Sequence, residues 1–241
     1  MPNWCDNTIM IEGDTDTLSQ LDLIMRSEGY EHADDMYPPM GQPMRLVPMP
    51  EVLQGTRSPA PEGDYDPEGR MMKLVNDPDN DYMTHERYMQ ESVEHYALIE
   101  RAERAKAETG YADWYSWATA NWGTKWTMGV SSYVCNADQG TIHIDGQTAW
   151  APPAELLRTI SERWPVTIRL TYVEHGMDFI GASVYTDGCE YDSSGSFSDH
   201  LPEGFDWDSD EAWDIEHDLR ERLIDHHERS ASVSAGLAGL G

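Results

Sequence analysis

The chain of 241 residues sets 45 Asp and Glu against 16 Lys and Arg, a formal net charge of −29. A field of that size repels phosphates at long range, which excludes generic binding to DNA, RNA or an anionic membrane and favours a basic partner. Hydrophobic residues make up 39%, enough for a core when concentrated, so the length suits one medium domain with a large insertion or two small ones.

Residues 3–12 (NWCDNTIMIE) are a β-branched run closed by Gly13 and read as a first strand. Asp14 or Thr15 then caps a helix through Arg26, with Leu18, Leu21, Ile24 and Met25 on one face and Gly29 as its stop. Residues 30–70 hold eight prolines, a density that forbids a regular helix or a central strand. They read as a long insertion, with 45–53 pinned to the core as a short extended piece. Residues 81–109 lack proline and place Val93, Ala97, Glu100 and Arg104 at helical spacing, which predicts one long polar helix. A short aromatic helix over 111–120 follows, and Gly123 ends it.

Residues 125–135 and 140–149 predict an antiparallel hairpin. Pro152 and Pro153 open a helix to Trp164 that buries Leu156, Leu157 and Ile160, and Pro165 stops it. Residues 166–174 (VTIRLTYVE) alternate as a half-buried strand, and 177–185 form another. Ser194 to Ser196 fall in an acidic stretch that reads as a flexible loop. Residues 206–229 read as an acidic helix with Trp213, Leu219, Leu223 and Ile224 as a thin apolar stripe.

Without the insertion, this order contains the βαββαβ split motif extended by one strand. The expectation is an α+β ferredoxin-like sandwich over 1–186 with 31–110 inserted. An acidic extension over 187–229 ends in the helix, and a small-residue tail over 230–241 is expected to be disordered.

Charge divides the chain the same way. Residues 111–186 carry seven acids and four bases, whereas 187–229 carry 15 acids and three bases. Two readings of that acidity stand. One is solvation in a salty interior or codon bias, given 13 Arg to three Lys. The other is an acidic face for a basic partner, with Asp206, Asp208, Asp210, Glu211 and Asp214 as its contacts.

Acidic clusters begun by Asp64, Asp77 and Asp206 fail the spacing of a calcium loop. Nine His and three Cys give no zinc spacing. GxSxG, GxxxxGK[ST] and GxGxxG are absent, so no metal or cofactor is expected. Three cysteines without a CxxC pair, and no leader or membrane-spanning run, point to a reducing cytoplasm.

The densest signal is aromatic. Trp114, Trp117, Trp122, Trp126 and Trp150 lie within 37 residues, beside Lys125, in the least acidic part of the chain. One reading packs them in the core, with Gly123 permitting a turn. The other makes Trp122, Lys125, Trp126 and Trp150 a pocket in which an indole holds a planar ligand and Lys125 meets its negative charge.

Five motifs in order, at 1–7 (MPNWCDN), 46–50 (LVPMP), 117–126 (WATANWGTKW), 148–153 (TAWAPP) and 177–181 (MDFIG), resemble the YubB-type family of phage and plasmid proteins. The resemblance implies a ferredoxin-like C-terminal part and a mobile-element or viral protein acting inside a host cell. It implies no reaction. The expected function is a non-enzymatic accessory protein that binds a host factor through acidic surfaces, blunting a defence or mimicking nucleic acid. A nucleotide-like ligand in the Trp–Lys pocket is the alternative. A third, weaker expectation is an enzyme using Asp113, His143, Asp145, His175 or Asp178, which lie near predicted strand and helix ends. A homodimer through the exposed edge of the added strand is also expected.

Overall fold

Alternation along β1 (Trp4–Glu12) buries Cys5, Asn7, Ile9 and Ile11 and turns Trp4, Asp6, Thr8, Met10 and Glu12 to the opposite face. In the computed structural model, which describes residues 3–27, 42–61, 69–80, 83–206, 208–209 and 211–238, this strand is central to one antiparallel sheet. Its other members are β2 (Gly129–Asn136), β3 (Thr141–Ala149), β4 (Thr167–Glu174), β5 (Phe179–Thr186) and β6 (Cys189–Gly195), in the order β2-β3-β1-β4-β5-β6. The first four strands have the arrangement of the βαββαβ motif, and β5 and β6 extend it as a meander. The fold is α+β, with a ferredoxin-like core.

Helix α1 (Thr15–Met25) starts where the Asp14 carboxylate accepts from Thr17 N (2.9 Å), and it buries Leu18, Leu21 and Met25. Helix α2 (Arg70–Val75), α3 (His85–Thr109) and α4 (Trp114–Asn121) follow, and α5 (Ala154–Arg163) buries Leu156, Leu157 and Ile160. Helix α6 (Ala212–Ala238) packs on β4, β5 and β6. Its Leu219 and Leu223 close a cluster with Val173, Ile180 and Phe197.

The chain divides into two units, Met1–Pro48 with Ala120–Gly241, and Met49–Thr119. The second holds α2, α3 and most of α4. There Thr84 caps α3, Gly110 at φ +86 ends it, and Arg101 Nη1 donates to Gly55 O (2.8 Å).

Three expectations are corrected. Residues 45–53, expected as one short extended piece, instead hold single 3-10 turns at Pro43–Leu46 and Glu51–Leu53; Met44, Leu46 and Val47 are buried, and the part up to Pro48 belongs to the sheet's unit. Residues 189–195 are strand β6, not loop. Their acids are acceptors for hydroxyls of other strands: Asp192 takes Tyr172 Oη (2.8 Å) and Ser183 Oγ (2.9 Å), and Glu190 takes Tyr185 Oη (2.7 Å). The exposed edge therefore lies one strand further out.

Third, residues 230–238 are helical. Ala231 is fully buried, Arg169 Nη1 donates to Ser232 Oγ (2.8 Å), and Ser230 and Ser234 hydroxyls donate to carbonyls one turn back. The acidic extension is thus part of the sheet's cover. The acidic cluster begun by Asp64 lies outside the described residues. Among those described, no helix is long and apolar enough to cross a membrane.

Candidate functional site

The start of β1, the end of β3 and the segment leading into β2 meet at one corner of the sheet. Trp4 pairs with Ala149, and Trp150 N donates to Asn3 O (2.9 Å), which carries the β1–β3 pairing one residue past the strand. Trp150 sits at φ +71 and is 44% exposed. A left-handed backbone costs an L-residue about 1–2 kcal/mol, so neighbouring bonds must hold it there.

Three buried side chains do so. Asn7 Nδ2 donates to Thr148 Oγ1 (2.9 Å), Thr148 Oγ1 donates to Ala151 O (2.7 Å), and Thr124 Oγ1 donates to Ala149 O (3.0 Å). The last bond sets Lys125 beside Trp150. Lys125 Nζ lies 4.4 Å from the Trp126 ring centre and 5.3 Å from that of Trp150. Trp4 lies 6.2 Å from Trp126, its ring tilted by 37°. The result is a half-exposed cluster of three indoles and one ammonium, suited to a planar ring bearing negative charge.

Trp122, expected in this site, is a core residue. It is 1% exposed and its Nε1 donates to Val47 O (2.8 Å). Gly123, at φ +82, turns the chain where a Cβ would stand 3.1 Å from Ala154 N. Trp4 takes its place in the site. The available signal was the strand alternation that puts Trp4 on the face opposite Cys5.

The same face continues into an open cleft lined by Asp6, Thr8, Ser131, Asp145, Gln147 and Arg220. Gln147 Nε2 donates to Asp6 Oδ1 (2.8 Å), and Thr8 Oγ1 donates to Asp145 Oδ1 (2.8 Å).

The acidic residues expected to bind a partner are less concerted. Asp208 N donates to Asp206 Oδ1 (3.0 Å) within a turn, while Glu211 and Asp214 stand exposed at the start of α6. Asp210 lies outside the described residues. Of the residues considered for catalysis, Asp113 caps α4 by accepting from Ser116 N (2.9 Å). Asp178 accepts from Ser196 and Ser198, and those bonds hold its carboxyl below the usual range. His175 Nε2 is 3.4 Å from Glu216 Oε1. His143 and Asp145 share the open face of β3.

Sequence reasoning missed a Ser–His contact, in which Ser193 Oγ lies 2.7 Å from His227 Nδ1. His227 is 6% exposed, its pKa is lowered by burial, and its Nε2 has no hydrogen-bond partner among the described residues. The contact ties strand β6 to helix α6. Cys5 is fully buried, and burial likewise pushes its thiol up.

Residues 122–217 match the family model of a ferredoxin-like domain in Api92-like protein. Among solved structures, the crystal structure of a protein api92 from Yersinia pseudotuberculosis is similar at 15% identity and a TM-score of 0.40, covering 81% of this chain and 98% of that one. Comparison with curated proteins gives no match.

Proposed function

We propose that the chain is a binding protein without chemistry of its own, whose site is the cluster of Trp4, Lys125, Trp126 and Trp150. Its ligand is a small planar anion of the nucleotide kind. The reading rests on Lys125, whose ammonium lies against the rings of Trp126 and Trp150. Core packing accounts neither for a cation among indoles nor for a tryptophan kept exposed on left-handed backbone. Such outliers concentrate at binding sites. Stacking of one base is worth about 1–3 kcal/mol, and a single anionic group meets the ammonium. A polyanion would meet the whole protein's charge of −29 instead.

AMP and GMP are expected to quench tryptophan fluorescence on titration. Lys125→Ala should weaken that binding about tenfold while leaving the far-UV circular dichroism and melting temperature unchanged. Unchanged affinity in the variant removes the site.

A second reading, a mobile-element accessory protein docking on a basic host protein, is favoured by one feature of α6. Trp213 is 70% exposed and stacks on His217 with ring centres 5.3 Å apart. It shares the helix with the exposed acids Asp214, Asp218, Glu221 and Asp225. An exposed indole among carboxylates has the makings of an interface anchor. Complexes captured from host lysate at low salt should dissociate as salt rises and be lost in Trp213→Ala. Capture that survives both changes sinks α6 as the docking face.

A further inference from the structure

Helix α6 covers β4 to β6 and, apart from the buried Ala149, leaves the corresponding face of β1, β2 and β3 exposed or half-buried. On that uncovered half, polar groups adjoin the indoles. Trp4, Asp6 and Thr8 follow one another on the same face of β1, opposite Ala149, Gln147 and Asp145 of β3. Alternate residues of a strand are about 7 Å apart, so the carboxylate of Asp6 lies next to the aromatic cluster along the strand. Gly129, paired with Gln147, adds no side chain, and the register shift between Val130 and Ser132 breaks the regular pairing of β2 beside it.

The chemistry of the cleft is that of a polyol site. A hydroxyl group both donates and accepts. The cleft offers carboxylates that accept, a guanidinium that donates, and the Gln147 amide and the Thr8 and Ser131 hydroxyls that do both. Each carboxylate has one oxygen fixed from within, Asp6 by Gln147 and Asp145 by Thr8, both at 2.8 Å. The bonds orient the carboxylates and leave the Oδ2 atoms for a ligand. Half-buried Arg220 reaches the cleft from α6 and makes no ion pair with a described residue. Two carboxylates make the cleft unwelcoming to a phosphate. Among the described residues, no three His, Cys, Asp or Glu side chains converge to hold a metal ion.

We infer that this cleft is the sugar half of the same site, so that the protein selects ribonucleotides by hydrogen-bonding their ribose hydroxyls to Asp6 and Asp145. The inference rests on the Trp–Lys cluster being a nucleotide site and names what that site recognises. The planar base stacks at Trp126 and Trp150, and the vicinal diol meets the carboxylates, the acceptors that bind two neighbouring hydroxyls most strongly.

Fluorescence titration of the full chain with AMP and GMP, and with their 2′,3′-dideoxy counterparts, tests it. The ribonucleotides are expected to bind about tenfold more tightly than the dideoxy forms, the discrimination that a site built for a hydroxyl imposes. In Asp6→Ala and Asp145→Ala the ratio of ribonucleotide to dideoxynucleotide affinity should fall to about twofold or less, the ratio being the readout because losing a carboxylate also eases repulsion of either anion. If either variant loses its circular dichroism spectrum, Asp6→Asn or Asp145→Asn, which keep an Oδ1 acceptor, takes its place. Equal affinity for ribo and dideoxy forms in the wild-type protein overturns the inference and leaves the Trp–Lys site standing. A preference that survives in both carboxylate variants also overturns it. No quenching by any of the four compounds overturns the nucleotide reading itself, and the sugar site with it.

Discussion

Ending the chain after Glu211 is expected to abolish the native fold. The acidity of residues 187–229 makes α6 look like a detachable tail, yet its Leu219 and Leu223 are buried against Val173, Ile180 and Phe197, with Leu201 and Ile224 packed around them. Burying one large apolar side chain is worth about 1.5–3 kcal/mol, so uncovering this cluster costs on the order of 10 kcal/mol. The whole stability of a domain is about 5–15 kcal/mol. Arg169 would also lose Ser232, and Ser193 would lose His227. The truncated chain should bind a hydrophobic dye and show no cooperative melting transition. A truncated protein that melts cooperatively within about 5 °C of the full chain would make α6 an appendage after all. The single variant Leu223→Ala gives a graded version, with an expected loss of about 2–4 kcal/mol by chemical denaturation.

Local signals in the sequence were sufficient for much of the sheet. The Asp14 cap, the alternation of residues 4–12 and the proline that stops α5 act within a few residues of where they stand, and each element appears where those signals put it. Strand β6 was hidden because its acids read as solvated, and their hydroxyl partners, Tyr172 and Ser183, come from other strands. The end of α6 was hidden for a similar reason. Small residues over 230–238 are held in a helix by docking, through Ala231 and Ser232, more than by their own preference. The density of tryptophans around Lys125 marked residues that the structure gathers at one corner of the sheet, Trp126 and Trp150 among them. Spacing could not separate Trp122 from Trp126, because burial depends on Val47, 75 residues away. Trp4 was beyond reach for the same reason, since its place follows from its pairing with Ala149.

Those two tryptophan environments predict opposite consequences of losing an indole. Trp122→Ala is expected to destabilise the protein by about 3–5 kcal/mol, through the cavity left by a fully buried ring and the stranded carbonyl of Val47. For a chain of this size that lowers the melting temperature by roughly 10 °C. Trp150→Gly removes an indole of the same size, but glycine adopts φ +71 without the steric penalty that tryptophan bears there. The relief of about 1–2 kcal/mol offsets the contacts that a 44% exposed ring surrenders. Thermal melts should therefore place Trp150→Gly within a few degrees of the wild-type protein while its titration with AMP shows no binding. A melting temperature that falls as far as in Trp122→Ala would mean that Trp150 is a packing residue, and the case for a ligand at this corner of the sheet would fall with it. A stable variant that no longer binds would show that the strain at residue 150 is retained for the indole it presents.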